Sequence, residues 1–549
     1  MKKFLLTLFL LPAICYSQPT WVWAKSAGAL NTDYANSVFT SPSGEVYATG
    51  IFYSTSITFG STTLTNNGSA SCDIFLTKYD ASGNVIWAIS SGGTMNDAAT
   101  SVTVDALGNV YVTGWFSSPT IVFGSTTLTN ASSGTGDFFL VKYDSNGNVL
   151  WAKRAGGADW EIAQCVVVDN TGTNVYISGG FSLSFMFATN NLTSNGAMDV
   201  FLGKYDSNGN EIWARTAGGT VNDLANSVIT DAAGNIYLPG GFASATTTFG
   251  TYTLTNAGVG FPDIFFVKYD PSGNVIWATR EGGPDNDHAV WVSKDVFGEI
   301  YITGHYHSTS FTVSTTTLNN MGMGDVFVIK YDTAGNALWA KTHGDMDHDF
   351  AYSIISDASG NAYVSGMFMS ATIIFGSVTL TNASATNEDL FITKYDSAGN
   401  TVWAISGGST GDDFIGSLIA DASGNIYAAG GFSSATVTLG LTILTNADNT
   451  GNTYDALVAK LDVLTGIQIA TEDLQFIISP NPSNGIFTVT MSGVEVPSIE
   501  VYNTLGEKVY SKLVLASSTT IDLSFQSKGI YFVKLKSVDK SRVQKLIIH

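Results

Sequence analysis

Apolar and polar residues alternate with a period of two over most of this chain, and no stretch keeps the 3.6-residue period of a helix. Ser101-Val102-Thr103-Val104 is one alternating run, and it stops at Asp105-Ala106-Leu107-Gly108-Asn109. An Asp side chain bonds the backbone two residues on, and Gly accepts positive φ, so this segment predicts a tight hairpin turn. Val110 to Phe116 is the next strand and Asp137 to Tyr143 a third. A second turn at Asp144-Ser145-Asn146-Gly147-Asn148 leads into the strand Val149-Leu150-Trp151-Ala152. Between the second and third strands, Thr120 to Asn130 alternates Thr with Phe and Leu around a Gly-Ser pair, which predicts a small inserted hairpin. The segment recurs around Phe59, Phe187, Phe249, Val313, Phe375 and Leu439.

The pattern is periodic on a larger scale. Trp-Ala recurs at Trp23, Trp87, Trp151, Trp213, Trp277, Trp339 and Trp403, at intervals of 64, 64, 62, 64, 62 and 64 residues. A further interval of 66 reaches Ile469-Ala470, after the degenerate Lys460-Leu461-Asp462. Seven units of four strands therefore lie between eight copies of the last strand. A fixed period of this length indicates sheets arrayed radially, and such a ring hides its edges only if it closes. The spare copy, Trp21 to Lys25, is expected to close it by pairing with Leu457-Val458-Ala459. The fold class expected is all-β: a seven-bladed β-propeller over residues 18–471 with one inserted hairpin per blade, then a small β-sandwich over 472–549.

The repeated string of Gly-Gly, Asp, Ser-Val, Asp-x-x-Gly-Asn-x-Tyr and Gly-x-Phe, followed by Lys-Tyr-Asp-x-x-Gly-Asn-x-x-Trp-Ala, resembles the bacterial propeller units known as SBBP repeats. In the last segment, Ser479-Pro480-Asn481-Pro482-Ser483-Asn484-Gly485, Tyr502-Asn503-Thr504-Leu505-Gly506, Lys528-Gly529-Ile530-Tyr531 and Lys545-Leu546-Ile547-Ile548 resemble the type A C-terminal sorting domain of the type IX secretion system. That resemblance implies partnership with the type IX machinery through 472–549. It also implies passage across the outer membrane and then release or attachment at the cell surface.

The start of the chain agrees with export. Lys2 and Lys3 precede the apolar run Phe4 to Leu11, and residues 1–17 read as a signal peptide cleaved between Ser17 and Gln18. Cys15 follows the apolar run as in a lipoprotein leader, but Ile14 stands where a small residue is needed. No other window is long and apolar enough for a transmembrane helix, so none is expected in the mature chain. Cys72 and Cys165 fall at different repeat positions, and no disulfide is expected between them.

Acidic residues outnumber basic ones 45 to 24, for a net charge of −21. With 44 % hydrophobic and 12 % aromatic residues, the chain is no disordered acidic tail. The charge excludes nucleic acid as the natural partner. Much of it is multiplied framework. Asp33, Asp97, Glu161, Asp223, Asp287, Asp349 and Asp413 precede each inner strand, and Lys78, Lys142, Lys204, Lys268, Lys330, Lys394 and Lys460 recur in a Lys-Tyr-Asp frame. Seven copies point to backbone hydrogen bonds and packed stems rather than seven sites.

Departures from the repeat carry the candidate chemistry. Five of the six His residues lie between 288 and 348. His288, His305, His307, His343 and His348 are expected to gather in one sector of one face, with Asp287 and Asp347. Imidazole and carboxylate together suit a divalent cation, with Asp287, His288, His305, Asp347 and His348 as the set, or acid–base work on a glycan. Trp115 and Trp160 are candidates for stacking on a sugar or a peptide side chain. Nothing usable for nucleophilic catalysis and no phosphate-cradling Gly-Lys motif is found, so an enzyme is not expected, and no cofactor beyond such a cation. The leading reading is a secreted or cell-surface binding or scaffold module. It would meet a glycan, peptide or envelope ligand on the face carrying the inserted hairpins. Its rivals are a polysaccharide-degrading enzyme centred on the His sector and a structural surface or adhesion component.

Overall fold

The computed structural model describes residues 19–463 apart from 385 and 449. It also describes residues 475–549 apart from 493–497, 505, 514–517 and 537–540. The leader and its Ser17/Gln18 junction lie outside the described residues. The chain divides into two compact units at Val463/Leu464, against the expected 471/472.

In the first unit seven four-stranded antiparallel sheets follow one another among the described residues. Their inner strands are Asp33–Thr40, Asp97–Val104, Glu161–Val168, the interrupted pair Asp223–Ala225 and Ile229–Thr230, Asp287–Lys294, Asp349–Ser356 and Asp413–Ala420. The ring closes as expected: Thr20–Ala27 pairs with Asp455–Asp462, setting Trp23 opposite Lys460, Ala24 opposite Ala459 and Lys25 opposite Val458. A second seam joins the ends inside the channel, where the Val38 N–H donates to Ser417 Oγ at 3.2 Å. The same bond recurs from Val102 to Ser37, Val166 to Ser101 and Leu418 to Ser353. Each hydroxyl satisfies a backbone N–H that the blade's own ladder leaves over.

Six of the seven inner strands bulge at the fourth residue, as at Thr100 and Val290. The bulge pushes the carbonyl of the second residue onto the neighbouring strand. A Cβ built on Gly114 would stand 1.9 Å from the Ala98 oxygen, and one on Gly304 would stand 1.8 Å from the His288 oxygen. That approach explains the Gly of every Gly-x-Phe.

The repeated Trp residues latch blades together. Trp87, Trp151 and Trp339 donate Nε1–H to Ser145, Ser207 and Ser397 carbonyls in the turn of the next blade, at 3.2–3.3 Å. Lys78, Lys142 and Lys330 donate to the same carbonyls while lying 4.8–5.3 Å over Tyr47, Tyr111 and Tyr301. The Asp turns are self-contained: Asp80 Oδ1 accepts from the Ser82 and Asn84 N–H groups, and Oδ2 from the Asn84 amide. Cys72 and Cys165 are buried and unbridged.

The inserted hairpins form, and each lies between the outer strands of two neighbouring blades. Thr120–Phe123 pairs with Thr126–Thr129, burying Ile121 and Phe123 in the blade core. The tip Gly124 meets Val149 at the start of its own outer strand, and the hairpin's first strand touches the outer strand Val85–Ser91 of the preceding blade. Radial sheets splay apart towards the rim, and the hairpins fill those wedges. Among the described residues no helix is long and apolar enough to cross a membrane.

The second unit has a three-stranded sheet, Gln475–Ser479, Ile486–Ser492 and Ser518–Asp522, and a four-stranded sheet. The latter orders Lys508–Leu513, Ser498–Asn503, Gly529–Lys536 and Ser541–Ile548. Both contribute to one core that includes Phe476, Phe487, Val501, Ile521, Val533 and Leu546.

Candidate functional site

The second and fourth residues of the inner strands differ from blade to blade, whereas the first and third scarcely do. The variable positions line one end of the axial channel, a basin of about 700 Å³ walled by all seven blades. One arc carries His288, Tyr352, Phe414 and Tyr34, with His305 and Tyr454 reaching in from strands and loops behind them. The opposite arc carries Asn36, Thr100, Gln164 and Asn226. Asn36, Thr100 and Asn226 each donate a 2.8 Å bond to the carbonyl of the next blade's repeated Ala, which fixes their side chains.

The rings of the first arc touch edge to face. Tyr34 and Phe414 have centroids 6.0 Å apart, Phe414 and Tyr454 5.6 Å, and Tyr352 and Phe414 6.2 Å. Glu388 enters the basin beside them. Its own N–H and the Asn387 amide donate to Asp412 Oδ1 at 3.2 and 2.9 Å. Among the described residues no donor or cation reaches the Glu388 carboxylate itself. Burial, and secondly the Asp412 charge, push that carboxyl up to about 7.

Four of the five clustered His residues come together. Centroids of His288 and His305 are 5.4 Å apart, His305 and His307 5.8 Å, and His307 and His348 5.5 Å. Phe350 stacks on His305 at 4.1 Å and touches His307 and His348. Burial lowers the His288 pKa to about 4 and that of His305 well below the usual imidazole range, so both are neutral. Only His288 and His305 line the basin. His343 stands apart on an outer strand, where Nδ1 meets the Ile374 carbonyl at 2.8 Å and the ring packs on Phe375 and Tyr395.

The expected cation set is not assembled. Asp287 spends its oxygens on the Gly283 N–H, the Ser308 hydroxyl and the His307 and Ser308 N–H groups. Asp347 Oδ1 accepts from the His348 N–H. Among the described residues no three His, Cys, Asp or Glu are grouped to hold a metal ion. Trp115 and Trp160 pack on each other, centroids 5.3 Å apart, and neither lines the basin.

The acidic ring proves to be double. Each inner-strand acid faces an Asp that opens the third strand of the preceding blade: Asp73, Asp137, Asp199, Asp263, Asp325, Asp389 and Asp455. All seven are buried, and each leaves Oδ1 without a hydrogen-bond partner. A glycine stands against the pair, so a Cβ on Gly282 would lie 2.9 Å from Asp287 Oδ2 and 3.0 Å from Asp263 Oδ1. Arg154 pairs with Asp137, and Arg280 Nε with Asp263 at 2.6 Å, whereas among the described residues the other five junctions show no such cation. Burial pushes Asp97 and Asp325 up to about 6 and Asp73, Asp349 and Asp413 up to about 7.

Residues 478–549 match the family model described as the secretion system C-terminal sorting domain, in line with the type IX sorting segment expected from the sequence. An uncharacterised WD repeat-containing protein, L264 of Acanthamoeba polyphaga mimivirus, is 24 % identical over 507 residues, covering 76 % of this chain and 36 % of the relative. Regulatory protein FlaEY of Caulobacter vibrioides is 24 % identical over 317 residues, covering 54 % of this chain and 32 % of that protein. The chain thus spans about a third of the length of these relatives. Among solved structures, the Dos1 propeller overlaps 81 % of this chain and 96 % of its own, with 8 % identity and a TM-score of 0.38. Sqt1 from Chaetomium thermophilum overlaps 81 % and 99 %, with 8 % identity and a TM-score of 0.40.

Proposed function

We propose that this protein is a binding module exported by the type IX route, whose ligand is taken at the aromatic end of the axial channel. The observation that carries this reading is the half-ring of Tyr34, Tyr352, Phe414 and Tyr454. Tyr34, Phe414 and Tyr352 break a sevenfold repeat at the two positions of the inner strand that face the basin, and Tyr454 joins them from the loop before a third strand. Half-open basins with aromatic faces and a few polar groups suit a small ligand or one end of a larger one. The leader would carry the chain across the inner membrane, and the sorting unit would then direct it to the surface or the medium. The Asn36, Thr100 and Asn226 side chains are held on backbone carbonyls and the rings pack on one another, an arrangement that favours binding. The test is calorimetric titration of the purified mature chain with soluble envelope oligosaccharides and peptides. Wild type is expected to bind and Phe414→Ala to lose the heat, and equal binding by both would remove the basin from consideration. Deleting 472–549 is expected to leave a folded propeller inside the outer membrane, detected by cell fractionation.

A further inference from the structure

The ligand's chemistry can be read from how charge is distributed in the basin, taking the reading of the basin as the binding site as given. In the framework, positive side chains are already spent: Lys78, Lys142, Lys204, Lys268, Lys330, Lys394 and Lys460 each lie over a Tyr. The basin reproduces that aromatic-plus-acid environment without its cation. Glu388 lines the same basin as Tyr34, Tyr352, Tyr454 and Phe414, Tyr352 and Tyr454 feel its charge, and its carboxylate meets neither donor nor cation among the described residues. Asp412 adds a second negative charge directly behind it.

An unpaired carboxylate at the edge of low-dielectric aromatic walls is costly, and a cation entering there gains both its charge and the ring quadrupoles. A metal ion fits poorly, because Glu388 and a committed Asp412 supply too few oxygens. An organic ammonium fits, since its carbon frame covers the rings while its N–H groups reach the carboxylate. The opposite arc decides what bears it. Thr100, Gln164, Asn36 and Asn226 present hydroxyl and amide groups across the basin, which suits a ligand polar over its whole rim rather than a lysine side chain on an apolar stem. We infer that the basin binds an amino sugar with its amine unsubstituted, the ammonium on Glu388 and the ring against Tyr34, Phe414 and Tyr454.

The test uses the full mature chain and three probes: a glucosamine trimer, its fully N-acetylated counterpart and a lysine-containing tripeptide. The free-amine trimer is expected to bind at least about tenfold more tightly than the acetylated one, a ratio that shrinks with added salt. Glu388→Gln, with an unchanged melting temperature, is expected to erase that ratio while leaving any acetylated-sugar binding intact. Equal affinity for both trimers in wild type would overturn the charge assignment while leaving the basin as the site. Tighter binding of the tripeptide would overturn the sugar assignment, and no binding of any probe would overturn both. If the free-amine trimer binds Phe414→Ala as well as wild type, the failure belongs to the basin itself.

Discussion

The two ends of the axial channel are built by the same seven strands, yet they obey opposite rules. At the far end, a cavity of about 780 Å³ is lined by the later residues of the inner strands. There Val38, Val102, Val166, Val228 and Val292 repeat almost without change, and Ser37, Ser101, Cys165 and Ser227 stand beside them. At the aromatic end the second and fourth residues range from Ala98 to Phe350 and from Gly416 to Tyr352. The repeated residues each bond or pack against the next blade, so a change there would be felt at a junction. The variable ones face the mouth of the channel, and the polar ones among them, Asn36, Thr100 and Asn226, bond a backbone carbonyl of the next blade, so side chains of different size and polarity fit there. Function in a closed repeat is found where the geometry leaves the sequence free.

The sharpest way to separate the ends is acid. The buried carboxyl pairs lie at the aromatic end, whereas the carboxylates lining the far end, such as Asp105, Asp169 and Asp421, sit in turns where backbone N–H groups donate to them. With pKa values raised to about 6 or 7 at Asp73, Asp97, Asp349 and Asp413, the folded chain holds protons that the unfolded chain, at 3.8, has released. That stability is fully present below 3.8 and is lost as pH rises through 6 and 7. Turn carboxylates such as Asp80 and Asp144 are lowered by hydrogen bonds from Asn84 and Asn148, and they contribute in the opposite sense as pH falls below 3.8. The propeller is therefore expected to melt at a higher temperature at about pH 5.5 than at about pH 8. Because two rings contribute, this is the largest effect expected. A melting temperature independent of pH over that range would mean that the pairs are neutralised by something other than protons.

Next in size are the latches at the rim. Trp403 is 2 % exposed against Tyr363, and Trp403→Ala is expected to cost about 3–5 kcal/mol in denaturant unfolding. Trp213 is only half-buried, and Arg215 takes over its role by donating to the Gly273 and Ser272 carbonyls. Trp213→Ala is expected to cost less, about 1–2 kcal/mol. Equal losses at the two sites would show that burial of the Trp ring does not set the cost.

The seven units and the closing strand were legible because each rests on a repeated residue: the Trp-Ala spacing sets the blades, and the spare Trp21 to Lys25 must pair somewhere. The His sector was legible for the opposite reason, being concentrated in one short stretch of chain. Tyr34, Tyr352, Phe414, Tyr454 and Glu388 escaped because they are scattered, and only the ring brings residue 34 against residue 414. The signal was present in the column flanking the repeated Ala, where 34, 98, 162, 224, 288, 350 and 414 can be compared directly. The second ring of Asp was equally visible, at 73, 137, 199, 263, 325, 389 and 455, but only packing reveals that it faces the first. The inserted hairpins were legible as hairpins but not as wedges, because their apolar residues find partners on two different blades.

The smallest effect on stability is expected at the aromatic end, and there it separates the two rules most cleanly. Tyr34 and Phe414 pack mainly on each other and on Tyr454, at the edge of open space. Phe414→Ala is expected to cost no more than about 1 kcal/mol, because a half-exposed ring forfeits only part of its burial. Gly304→Ala, one bulge below the same basin, should cost several times more, since its new Cβ meets the His288 carbonyl at 1.8 Å. If both variants were equally destabilised, the aromatic half-ring would belong to the framework and its variation from blade to blade would lose its functional meaning. A stable Phe414→Ala beside a damaged Gly304→Ala places the boundary between scaffold and site within a single layer of the channel wall.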